Sequence, residues 1–133
     1  MRALTDPLAR ILIVAIFVYT GITKLMHFSA TAHMIGEKGI PLAALAAAIA
    51  ILIDLGGAIL IIIGWQTKLA ANVQFIYLVF ITFMYHNFWA VPPQLHDVQL
   101  LNFLKNVGIM GGLLFLATHG AGASSVDAES SHS

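Results

Sequence analysis

Four long apolar stretches, each bounded by polar or turn-forming residues, organise the 133-residue chain. They run over about 8–26, 41–64, 68–85 and 101–118, and each approaches the ~20 residues an α-helix needs to cross a bilayer. Asp6-Pro7 sets an acid before a proline at the first turn of span one, and Gly39-Ile40-Pro41 opens span two in the same way. Gly64 and Gly120 are stop signals. The pattern predicts an all-α integral membrane four-helix bundle over residues 1–120, and the even number of spans returns both termini to one side. Residues 121–133 are small and polar and read as a disordered tail. Phe28 to Lys38 reads as a short interfacial helix or loop. Arg2 and Ala30-Thr31-Ala32 flank the first stretch as they would in a cleavable leader, but its apolar run is long for one and it is read as a span.

Composition agrees with the pattern: 59% of residues are hydrophobic and 9% charged, with mean hydropathy +0.91, against roughly 25% charged in soluble domains. The partner implied is the lipid bilayer. A formal net charge of zero offers no basic face for nucleic acid. The absence of cysteine excludes a disulfide, a thiolate nucleophile and Cys-ligated zinc or iron-sulfur centres. Redox chemistry would need a quinone, another bound cofactor or a partner protein. Arg2, Arg10 and Lys68 on the side of the termini, against Lys38 on the other, point to cytoplasmic termini.

The charges inside the spans carry the candidate chemistry. Ala43, Ala47, Ala50, Asp54 and Gly57 recur at spacings of four and three and form one stripe of span two. Small residues mark helix contacts in membranes, so Asp54 is expected to face the bundle. Thr20, Gly21, Lys24 and His27 share a face of span one, and Lys105, Gly108 and Gly112 share one of span four. The three ionisable residues are therefore expected to face one another, with Lys24 or Lys105 as the partner of Asp54. Asp54 lies about 20 Å along its helix, too deep to snorkel, whereas each lysine stands near a helix end and could. Two lysines beside one carboxylate would leave an excess positive charge suited to a small anion or to a quinone oxygen.

The stretch from the end of span three into span four adds Tyr85, His86, Asn87, Trp89, His96, Asp97, Gln99, Asn102 and Asn106. Tyr85, Phe88 and Trp89 read as an interfacial aromatic belt. His27 and His86 lie at span ends and no second pair faces them, which argues against haem; His86, His96 and Asp97 make only a weak metal set.

In order and spacing, "ARILIVAIFVYTGITKL", "GIP", "DLGGAILIIIGWQTKLAA", "FMYHNFW" and "FLKNVGIMGGLLF" resemble the DoxX family of small membrane proteins over nearly the whole chain apart from the tail. The resemblance implies a four-helix bundle in the bacterial cytoplasmic (inner) membrane. It also implies that Lys24, Asp54, His86, Gln99, Lys105 and Asn106 stand at the family's polar positions, with aspartate here where glutamate is usual. The wider family includes a membrane subunit of thiosulfate:quinone oxidoreductase. One expectation is thus a redox-associated, quinone-linked oxidoreductase subunit needing a soluble redox partner. In it Asp54, His86 and Lys105 would relay protons or stabilise charge, and Lys24, Tyr85, Trp89, Gln99 and Asn106 would hold the ligand. The alternative is a non-enzymatic scaffold or small-molecule carrier in which the charges hold the bundle together. Alanine and glycine surfaces leave room for a homo-oligomer.

Overall fold

A computed structural model describes residues 1–130 and is all-helical there. The elements are α1 (Arg2–Met26), α2 (Phe28–Glu37), α3 (Ala43–Ile63), α4 (Thr67–Tyr85), α5 (His96–His119) and α6 (Val126–Ser130), with 3₁₀ turns at Phe88–Ala90 and Pro93–Leu95. Helices α1, α3, α4 and α5 are the four long apolar helices, matching the four expected stretches. α2 lies across the connection from α1 to α3, and its contacts are chiefly with α3.

The long helices pack in chain order, α1 on α3, α3 on α4 and α4 on α5, while α1 and α5 barely touch. Val14, Phe17, Ala58, Ile61, Ala71, Leu78 and Leu113 form the core between them. Leu12, Leu52, Ile59, Ile76, Leu101 and Phe115 point outward and are exposed, the inverse of a soluble protein and the arrangement a lipid surround requires.

α3 is interrupted by one π turn, Leu52–Gly56. Such a turn displaces the helical hydrogen bonds by one residue and leaves carbonyls to find other donors. Here the buried Gln74 of α4 adds a donor beside the Gly57 backbone N–H: its Nε2 donates to Ile53 O at 3.1 Å and to Asp54 O at 3.4 Å. Gly57 makes room for that side chain, since a Cβ there would lie 2.6 Å from Gln74 Nε2.

Two expectations are corrected at the end of the bundle where the chain termini meet. α1 begins at Arg2, so Pro7 lies inside it. Proline cannot donate to the carbonyl four residues earlier, and the freed Ala3 carbonyl accepts a hydrogen bond from Ser124 Oγ at 3.0 Å. The tail, as far as Ser130, is a packed strap. Arg10 is buried to 2% exposure and its guanidinium donates to the carbonyls of Ala121 (2.7 Å), Ala123 (3.0 Å) and Ser124 (2.8 Å). Asp6 Oδ2 accepts from Ala123 N at 2.8 Å. These polar contacts hold a segment whose composition alone would not fold; the same reading for residues 131–133 lies outside the described residues.

The strap also completes α4. Gln66 takes a left-handed φ of 51°, costly for a non-glycine residue, and its own side chain caps nothing. Asp127 of α6 instead accepts from Gln66 N and Thr67 N, both at 3.0 Å. Desolvation alone would raise the Asp127 carboxyl above its ordinary range, but the bonds from Thr67 and Gln66 and the charge of Arg10 outweigh it and hold it below.

Candidate functional site

The π turn aims Asp54 at α1. Gly21 is what lets α1 come close: a Cβ there would lie 2.6 Å from Leu55 Cγ and 2.9 Å from Asp54 Cβ. One turn away on the same face, Lys24 Nζ donates to Asp54 Oδ2 at 2.6 Å and to the Tyr77 hydroxyl of α4 at 2.7 Å. Thr20 Oγ1 adds a longer bond to Oδ2 at 3.3 Å. The stripe reading of α3 therefore holds, with Ala47, Ala50 and Asp54 all buried.

The pair is buried unevenly: the Asp54 side chain is 1% exposed and that of Lys24 24%. Lys24 faces a partly open cavity of about 610 Å³ lined by α1, α2, α3 and α4. Its walls are largely apolar, with Ile35, Ile49, Ile53, Phe80, Ile81 and Met84 among them. Thr20, Thr23, Lys24 and Tyr77 provide the polar patch, and Tyr85 and His86 lie where α4 ends. Since Lys24 donates to the Tyr77 oxygen, the phenol's own proton is available to the carboxylate or to an acceptor in the cavity.

The site differs from the expected one in its second lysine. Lys105 is exposed and lines a groove between α1 and α5 that shares only Tyr19 with the cavity, so the expected meeting of three charges reduces to Lys24 and Asp54. One cation now opposes one anion, and the argument for an anionic ligand at this centre lapses. The inward position on α5 is the next residue, Asn106. It is 5% exposed and donates to Thr82 Oγ1 at 3.0 Å, tying α5 to α4 away from the cavity wall.

The other expected residues divide. Tyr85 lies on the cavity wall, with Lys38 Nζ 5.2 Å from its ring centroid. His86 also reaches the cavity, and its Nδ1 shares a 2.7 Å hydrogen bond with Gln99 Oε1, so Gln99 supports His86 and does not line the cavity. Trp89 is exposed and packs edge-on against Phe88 and Phe103, outside the cavity, which leaves it no part in holding a ligand there. His27, expected on the face of Lys24, is exposed at the end of α1. His96 pairs with Asp97 at 3.0 Å.

Tyr77 and Gln74 are functional neighbours that reading span by span did not single out. Their signal was present in α4, where Thr67, Ala70, Ala71, Gln74, Leu78 and Thr82 make one buried stripe, with Tyr77 at its edge.

Comparison with known proteins places these residues in context. The DoxX family model matches residues 6–87, a stretch that includes Lys24, Asp54, Tyr77 and His86. The chain is 36% identical to inner membrane protein YphA of Escherichia coli, over 90% of its own length and 86% of the relative's. It is 31% identical to inner membrane protein YqjF of the same organism, over 96% and 95%. A shorter likeness, 35% over 53% of the chain and 23% of the relative, is to the ER-derived vesicles protein ERV29 of Saccharomyces cerevisiae. No solved structure matches.

Proposed function

The chain belongs to the DoxX family, and we propose that it is an inner-membrane protein whose cavity beside Lys24, Asp54 and Tyr77 takes a quinone as part of a redox-associated assembly. The observation that carries this is the cavity itself: about 610 Å³, apolar for most of its wall, with an ammonium and a phenol on one side. A quinone is a flat apolar ring with two acceptor oxygens and no charge, and the balanced Lys24–Asp54 pair favours a neutral guest. Lys24 and Tyr77 would donate to one oxygen, Phe80, Ile81 and Met84 would flank the ring, and His86 or Asp54 would take up or supply protons. Electrons would come from a soluble partner, because a chain without cysteine supplies no thiolate or Cys-ligated cluster. We place the termini in the cytoplasm, on Arg2 and Lys68 against Lys38.

One observation favours the scaffold or carrier reading: Asp54 stands behind Lys24 and is absent from the cavity wall, as a purely structural anion would be. Equilibrium dialysis of ubiquinone-1 against the detergent-purified protein separates the two. The redox-linked reading predicts saturable binding, weakened about five- to tenfold in Tyr77→Phe, the loss of one hydrogen bond. No saturable binding, with Asp54→Asn losing only stability, leaves the scaffold.

A further inference from the structure

Lys105 is an ionisable residue of the spans that neither the site nor the strap uses. It lies nine residues into α5, about 14 Å along the axis, yet it is exposed and, among the described residues, has neither a hydrogen-bond nor an ion-pair partner. Beside it runs an apolar groove of about 660 Å³ between α1 and α5, walled by Leu12, Ile13, Ile16, Gly108 and Ile109. Tyr19 shares the groove with Lys105. The two helices approach where Ile13 meets Gly112, an ideal Cβ on which would lie 3.5 Å from Ile13 Cγ1. Lys105 stands seven residues, or two turns, before Gly112 on α5, and Tyr19 six residues beyond Ile13 on α1. The groove therefore has a cationic, hydroxyl-bearing end and an apolar run leading away from it.

We propose that this groove is a binding site for an anionic lipid, its head group drawn toward Lys105 and Tyr19 and one acyl chain lying along the groove. Charge complementarity selects the occupant. An unpaired ammonium among apolar side chains calls for an anion, and Asp54, the carboxylate buried within a span, already has Lys24, so a second copy of this chain offers no free intramembrane acid. A lysine carried on a flexible stem reaches toward the head-group level, where a lipid phosphate can meet it.

Gly108 gives a clean test, because a Cβ built there meets nothing within 4 Å. Leucine at this position fills the groove without disturbing the fold, and favours the helix over glycine. Native mass spectrometry of the full chain, titrated with phosphatidylglycerol or phosphatidylcholine of identical acyl chains, reads the site. We expect about a fivefold preference for phosphatidylglycerol, the factor one lysine contributes toward an anionic head group. Lys105→Gln should reduce the preference to near unity, and Gly108→Leu should lower retention of phosphatidylglycerol with unchanged thermal unfolding. Equal retention of the two lipids by the unaltered protein overturns the proposal and leaves the groove to a partner's transmembrane helix. A preference that survives Lys105→Gln, or retention that survives Gly108→Leu, overturns it as well.

Discussion

Removing either partner of the Lys24–Asp54 pair should destabilise the bundle, but unequally. Lys24→Met leaves a carboxylate that is 1% exposed. Among the described residues its Oδ1 has no hydrogen-bond partner, and the carboxylate would keep only neutral donors, Thr20 at 3.3 Å and the Tyr77 phenol. Breaking a buried pair in this way costs about 3–5 kcal/mol. Asp54→Asn leaves an ammonium that is 24% exposed, still bonded to Tyr77 at 2.7 Å, and able to turn into the cavity or toward the nearby helix end at Met26. The loss there is about 1–2 kcal/mol, that of one charge-assisted hydrogen bond. The double variant, with no orphaned charge, should be more stable than Lys24→Met alone. Reversible unfolding in mixed detergent micelles, followed by far-ultraviolet circular dichroism, gives the three differences. Equal costs for the two single variants, or a Lys24→Met cost under about 1 kcal/mol, would refute the reasoning that burial makes Asp54 the dependent partner.

Gly21→Ala pushes a methyl to 2.6 Å from Leu55 Cγ and 2.9 Å from Asp54 Cβ, and should cost about 1–3 kcal/mol by overpacking in the same unfolding assay. Lys105→Met should leave ubiquinone-1 affinity unchanged, because that lysine is not on the cavity wall; a loss of binding in dialysis would return it to the site. The strap should be acid-sensitive. The Asp127 carboxyl titrates below its ordinary value, so its contribution is complete above the unfolded value of about 3.9 and disappears as pH falls through the lower folded value. Hydrogen exchange of the backbone amides of residues 121–130 should therefore accelerate below about pH 4, and in Asp127→Asn it should already be fast at neutral pH.

The helices and the acid were legible in the sequence for the same physical reason. Apolar runs of spanning length have few other uses, and small residues at spacings of three and four fix which way a helix looks. That rule placed Asp54, Thr20, Gly21 and Lys24 on contacting faces. It misplaced Lys105 because Gly108 and Gly112 share its face of α5 without that face meeting the centre of the bundle; a rotation of one residue brings Asn106 inward instead. The strap escaped notice because its order comes from contacts more than a hundred residues apart, Arg10 with Ala121 and Asp6 with Ala123, which no local pattern encodes. Asp6 and Arg10, at i and i+4 on either side of Pro7, carried a trace of it. Tyr77 was missed because an aromatic residue in an apolar span reads as packing until its neighbours across the bundle are known.

Photoaffinity labelling with an azido-quinone, followed by peptide mapping, tests the central claim most directly. The account predicts adducts on the cavity-facing residues Thr20, Thr23 and Lys24 of α1 and Tyr77, Phe80, Ile81 and Met84 of α4, suppressed by excess ubiquinone-1. Adducts confined to the α1–α5 groove around Gly108, or labelling that ubiquinone-1 does not compete, would contradict it.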